Sequence, residues 1–258
     1  MRFGVCTGLG GAAVAKGQGW DFIEESAQGL LQGLVADEKW DGARRMASSA
    51  LPVLSVNMLV PGDLKVTGPS VNEPALREYI GRVIRRAGEN KIGICVFGSA
   101  GARMVPEGFD RETAKRQIVR FLREASAMAA KARVRIVVEA LNKKECNIIN
   151  SIPEAMEFVK AVDHPACRCL FDSYHFWEEA EPLAHLAAAA KDIAHVHVAD
   201  LEERVAPGLS GKNDYRGALA ILKKAGYEGT ISVEAMNFDL AASGGRVLGF
   251  LRGQWEEA

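Results

Sequence analysis

The stretch Arg135–Asn142, RIVVEALN, decides how this chain is read. Ile136, Val137 and Val138 form a β-branched run suited to a strand buried on both faces. The run ends in Glu139, a carboxylate that is costly to bury without a partner. The arrangement recurs three times downstream. CRCLFDSYHFW over 167–177 carries Asp172, IAHVHVAD over 193–200 carries His197, and TISVEA over 230–235 carries Glu234. Four apolar runs, each finishing on an ionisable group, read as parallel strands whose carboxyl ends gather the chemistry.

Working outward, the same alternation of short apolar runs and longer amphipathic stretches fills the chain. Strands are predicted at 3–7, 22–24, 53–57, 92–97, 134–139, 168–172, 194–198 and 230–234, and helices at 73–90, 111–132, 151–162, 214–225 and 239–252. Ser151 and Glu154 form a capping box around Pro153, and Gly226 after Lys223 and Lys224 marks a helix end. Eight strand–helix units favour a closed (β/α)8 TIM barrel, an α/β fold, as a single domain over residues 1–258. No GxGxxG follows the first strand, which removes the dinucleotide-binding fingerprint. The segments 58–72, 98–110 and 201–213 are long strand-to-helix loops and the expected walls of a pocket.

Composition narrows the function classes. The 258 residues carry a net charge of −1, with no basic excess for nucleic acid or a membrane surface. No stretch reaches the length of a membrane span, and MRFGVCTGLGG lacks the apolar core of a signal peptide. Five scattered cysteines without CxxC spacing suit a reduced, cytoplasmic protein.

Strands five to eight are neighbours in a barrel, so Glu139, Asp172, His197 and Glu234 converge on one point. Three carboxylates and an imidazole suit one divalent ion: manganese, magnesium or cobalt, with zinc as a further option. Each residue alone also fits a helix cap or an ion pair, so the convergence of all four carries the reading. Such a metal, chelating a hydroxyl and a neighbouring carbonyl, acidifies the adjacent C–H bond. Glu139 and Glu234 are then placed to move a proton on that carbon. His195 lies one layer deeper on the face of His197 and reads as a core histidine or a support for the metal ligand. His175 reads equally as a substrate donor or a local cap. Asn57 and Glu24 close the third and second strands and read either as substrate contacts or as ordinary caps. Arg103, ending the Gly-rich loop 98–103, would favour an anionic substrate if it pointed into the pocket. Phe176 and Trp177 are expected to pack on the barrel rim.

Through VVEALNKKECN, LFDSYHFW, HVHVADLEERVAPG and ISVEA, the chain resembles the xylose isomerase-like TIM-barrel superfamily, and within it the ketose 3-epimerases and hydroxypyruvate isomerases. The resemblance implies that Glu139, Asp172, His197 and Glu234 bind the metal and that Glu139 and Glu234 are the acid/base pair. It adds Glu145, His175 and Arg204 as substrate contacts. The stretch from His197 to Arg204 is one residue longer than in those epimerases, and EAM replaces their E-P. The implied function is a metal-dependent sugar isomerase or epimerase working through a cis-enediolate on a ketose or keto-polyol. Its implied partner is a small-molecule sugar or keto-polyol; the exposed barrel helices leave a homo-oligomer open. A keto-inositol dehydratase on the same barrel is the nearest alternative. An endonuclease IV-like phosphodiesterase and a non-catalytic sugar-binding barrel are more distant.

Overall fold

The eight apolar runs form eight parallel strands that hydrogen-bond in chain order and close on themselves. The computed structural model describes residues 1–258. The strands are β1 (Arg2–Cys6), β2 (Phe22–Ser26), β3 (Val53–Asn57), β4 (Ile94–Phe97), β5 (Arg135–Glu139), β6 (Cys167–Asp172), β7 (Ile193–Val198) and β8 (Thr230–Val233). The five expected helices run over Glu73–Glu89, Arg111–Ala132, Ile152–Val162, Arg216–Lys224 and Leu240–Glu257. Shorter helices at Ala12–Gln18, Ala27–Leu30, Gly42–Ala47, Ala100–Arg103, Ser173–Glu178 and Leu183–Ala189 were not expected. They span few turns and lack the long amphipathic repeat that marks a helix in sequence. No helix is long and apolar enough to cross a membrane. All five cysteines are unbridged.

The long helices begin where polar side chains satisfy their free N–H groups. Asn72, Asp110, Ser151 and Asp239 each accept from the backbone N–H three residues on. The capping box differs in one detail. Glu154 reaches back to the N–H of Asn150, not to that of Ser151.

Strand parity layers the barrel interior. Ile94, Val96, Val137 and Leu170 form a small apolar plug of their own, separate from the large core between barrel and helices. Two residues further along β5 and β6, the same faces present Glu139 and Asp172. On β7 and β8 the inward positions are His195 then His197, and Thr230, Ser232 then Glu234. The apolar floor therefore gives way to a polar ceiling at the carboxyl end. Glu24 is a correction to the expected strand ends. Strand β2 continues to Ser26, so Glu24 lies inside the strand, fully buried within the barrel.

One bolt sits outside the barrel. Arg86, on the helix after β3, is fully buried. It donates to the carbonyls of Leu31, Gln32 and Val35 at 2.7–2.8 Å and to Asp37 at 2.7 Å. Its guanidinium also lies over the Trp40 ring, 4.5 Å from the centroid. This fork ties the irregular β2–β3 connection to a regular helix, a task for the planar five-donor group of arginine. Arg86→Met removes the side-chain donor from the carbonyls of Leu31 and Val35 and should destabilise the fold by about 3 kcal/mol, read from urea unfolding. A loss below about 0.5 kcal/mol would remove the bolt.

Candidate metal centre and active-site pocket

Closure of the barrel brings the predicted quartet together. One ligand atom from each of Glu139, Asp172, His197 and Glu234 lies within 4.8 Å of the others. The backbone ladder sets this geometry, with Asp172 paired to His197 and His197 to Ser232, two residues before Glu234. His197 Nδ1 stands 3.2 Å from Glu139 Oε1, 3.3 Å from Glu234 Oε2 and 3.9 Å from Asp172 Oδ2.

The second nitrogen of His197 explains that orientation. Its Nε2 lies 2.9 Å from Glu24 Oε1, while His195 Nε2 and Ser55 Oγ lie 2.8 and 2.7 Å from Glu24 Oε2. Burial raises the Glu24 pKa, but His197 and His195 outweigh it and hold the carboxyl well below its usual range. An ionised carboxylate only accepts, so both imidazoles donate from Nε2. Thr230 Oγ1 then serves His195 Nδ1 at 2.8 Å. With Nε2 committed to Glu24, Nδ1 of a neutral His197 would present a lone pair to three carboxylates, so that nitrogen calls for either a proton or a metal cation. A carboxylate fixing the far side of an imidazole is also the usual support of a metal-ligating histidine.

Asp172 supplies the independent test. Its Oδ1 caps the helix Ser173–Glu178, accepting from the N–H groups of Tyr174 and His175 at 2.7 and 3.3 Å. Its Oδ2 is buried with no hydrogen-bond partner. The cap reading and the ligand reading thus apply to different oxygens of one carboxylate. A buried carboxylate oxygen without a hydrogen bond, 3.9 Å from His197 Nδ1 and 3.6 Å from Arg204 Nη2, fits a divalent cation held by this set. Gly98 leaves the space that Glu139 needs, since a Cβ there would lie 2.1 Å from Glu139 Oε2.

The electrostatics separate the two glutamates. Burial opposes ionisation of Glu234, but His197 and Arg204 overcome it and bring its pKa down to about 2. Burial, with Glu234 and Asp172 adding repulsion, pushes Glu139 up despite its contact with His197. Burial works against a charge on His197, yet Glu24 and Glu234 raise its pKa well above the usual value. In all three the cluster calls for positive charge.

Above the quartet lies a pocket of about 370 Å³. Glu139 and Glu234 line it, together with Asn57, Gly98, Glu145, His175 and Arg204, whereas Asp172 and His197 lie beneath. Arg204 donates to Glu234 Oε2 at 2.5 Å and sits over the Tyr174 ring at 4.8 Å. Glu203 and Arg204 both have positive φ, 54° and 52°, so the loop delivers Arg204 through a left-handed bend. Asn57 Nδ2 donates to Glu234 Oε1 at 2.9 Å. His175 Nδ1 accepts from the Asn142 N–H at 3.2 Å, so neutral His175 carries its proton on Nε2. Glu145 Oε1 accepts from Asn142 Nδ2 at 2.9 Å.

Arg103 requires a correction. It is fully buried and donates to the carbonyls of Phe97 and Glu139, each at 2.8 Å. It does not line the pocket, because its guanidinium is used bracing the ends of β4 and β5. Glu24 likewise supports His197 and does not reach the pocket. Phe176 and Trp177 pack as expected, edge-on against Phe171 and Tyr215. Sequence reading missed Asn142 and Asp200. Asp200 is buried and accepts from Tyr215 Oη at 2.7 Å and Ser210 Oγ at 2.6 Å, anchoring the loop that delivers Arg204. Its position, three residues past His197 in HVHVAD, is the same strand-end signal that marked the quartet.

The sequence matches the model of the xylose isomerase-like TIM barrel over residues 12–252. An L-ribulose 3-epimerase from Methylomonas sp. is 26% identical over 192 residues, covering 72% of this chain and 64% of that protein. An inosose isomerase from Bacillus licheniformis is 32% identical over 135 residues, 48% of each chain. The chain spans about half or less of the length of several curated relatives it matches. Among solved structures, an Escherichia coli 3-keto-D-glucoside 4-epimerase has a TM-score of 0.81 at 21% identity, over 98% of this chain and 99% of that one, a likeness of fold. With its closed eight-strand barrel and a family match across nearly all of its length, the chain belongs to the xylose isomerase-like TIM-barrel family.

Proposed function

We propose that this protein is a divalent-metal-dependent epimerase or isomerase of a ketose or related keto-polyol. The observation that carries this reading is the division of the quartet. Four ligand atoms lie within 4.8 Å, yet only Glu139 and Glu234 also border the open pocket. Two members are free to hold a metal only, and two are free to hold it and to touch substrate. Glu139, Asp172, His197 and Glu234 would hold the ion, with manganese, magnesium or cobalt suited to the oxygen-rich set and zinc also accommodated. Bound there, the metal would supply Lewis acidity toward a hydroxyl and an adjacent carbonyl.

The protein's own groups do the rest. One glutamate takes the proton from the carbon beside the carbonyl, giving a cis-enediolate, and the other returns a proton. Return to the opposite face of the same carbon gives an epimer; transfer to the neighbouring carbon gives an aldose–ketose pair. Asn57 and Arg204 each hold one oxygen of Glu234, fixing its direction. His175 Nε2–H and the remaining Arg204 N–H groups are the donors for substrate oxygens, and Glu145 is an acceptor for a hydroxyl. The one cation lining this pocket, Arg204, is already engaged by Glu234, and Arg103 is spent on backbone carbonyls. This favours a neutral polyol over a phosphorylated one. Similarity to inosose isomerases keeps cyclic keto-polyols beside open-chain ketoses as substrates.

Three outcomes test the reading. With a panel of ketoses and inososes in deuterated water, deuterium should enter the carbon next to the carbonyl without loss of a water from the product. Glu234→Gln, assayed at saturating metal, should lose about 10²–10⁴-fold in kcat; full turnover with metal bound would reject the acid/base assignment. Glu24→Gln should weaken metal affinity roughly 10–100-fold, measured by chelator competition, because the amide no longer takes two imidazole protons. An unchanged affinity would sever Glu24 from the site.

A further inference from the structure

The opposite end of the barrel holds a second cavity, of about 600 Å³, around the amino-terminal ends of the strands. Four cations line it: Arg2 opening β1, Lys91 before β4, Arg133 before β5 and Arg135 opening it. One carboxylate, Glu228, accompanies them. Leu54, Ile94, Val134 and Ala194 are among its apolar lining, with Gly93, Gly229 and Thr230 at the strand starts.

The partner accounting sets this cavity apart. Of the 19 arginines in the chain, 15 hold a carboxylate or a carbonyl through their guanidinium, and the four that hold neither are Arg2, Arg133, Arg135 and Arg246. Three of those four line one cavity, and Lys91 beside them is equally without a side-chain partner. Strand parity turns Arg135 to the same inward face as Val137 and Glu139. Lys91 and Arg133 also have left-handed backbones, with φ of 62° and 60°, at helix ends where glycine is the favoured residue. Long cations thus hold positions that a smaller residue would fill with less strain. Unpaired like charges around a concave surface focus a positive potential.

We propose that this amino-terminal cavity is a binding site for a compact polyanion carrying two or more negative charges, of the pyrophosphate class. The guanidinium groups of Arg2, Arg133 and Arg135 match such oxygens in pairs, and Lys91 adds a point charge. The site is separated from the quartet by the apolar plug of Ile94, Val96, Val137 and Leu170. Its ligand is therefore not the substrate of the upper pocket.

Calorimetric titration with inorganic pyrophosphate at about 0.15 M salt tests the assignment. One saturable site is expected. Its affinity should fall roughly tenfold or more in Arg133→Ala/Arg135→Ala and stay unchanged in Arg204→Ala, which alters the upper pocket. Thermal unfolding of the double variant should match that of the parent, since neither side chain bonds to the rest of the protein. No saturable binding at this salt would leave the four cations as solvated ends that cover the barrel floor, and would overturn the proposal. Equal affinity in the double variant, or loss of binding in Arg204→Ala, would place the anion elsewhere and overturn it equally.

Discussion

Everything at the carboxyl end of this barrel depends on one imidazole caught between carboxylates. His197 is fully buried, with Glu24 below its Nε2 and Glu139, Asp172 and Glu234 around its Nδ1. Coulomb interactions at such separations are large where water is excluded. The lower carboxylate is satisfied by two imidazoles and a serine. The upper three are satisfied only in part: Asn57 and Arg204 hold Glu234, while Asp172 Oδ2 has no hydrogen bond, and together they favour positive charge above the ring. Glu24 thereby determines which nitrogen of His197 looks upward, and with it the kind of charge the pocket floor accepts.

The barrel makes this arrangement affordable by stacking it on a dry base. An apolar plug of four side chains closes the interior below, and polar residues occupy the layers above on the same strand faces. Buried arginines then stiffen the rim from outside the pocket. Arg103 joins the last carbonyls of β4 and β5, and Arg86 fastens the β2–β3 connection to its neighbouring helix. Both direct donors to backbone oxygens that sit in or near the protein interior. Arg204 is different, since it enters the pocket on a strained bend anchored by Asp200. Loop residues on a rigid scaffold commonly carry specificity in this way. The quartet and the pocket wall that carries Arg204 are thus held by separate parts: strand ends for the first, a loop for the second.

The barrel and the gathering of ionisable groups at its carboxyl end are legible in the residues alone. Eight β-branched runs alternating with amphipathic helices admit few parallel arrangements, and an ionisable residue closing an apolar run is legible because burial makes it costly. Glu139, Asp172, His197 and Glu234 were all found by that signal, and Asp200 shows that it reaches further than it was applied. What each polar atom faces depends on the closed barrel. It moved Glu24 from a strand end into the barrel interior, because β2 runs two residues longer than its apolar pattern. It turned Arg103 away from the pocket, because two buried carbonyls lie closer to its guanidinium than any cavity does. It divided Asp172 between a helix cap on one oxygen and an orphaned oxygen on the other. Periodicity records which face of a strand a residue occupies, but hydrogen-bond partners come from strands and loops far apart in the chain. Those pairings exist only once the barrel has closed.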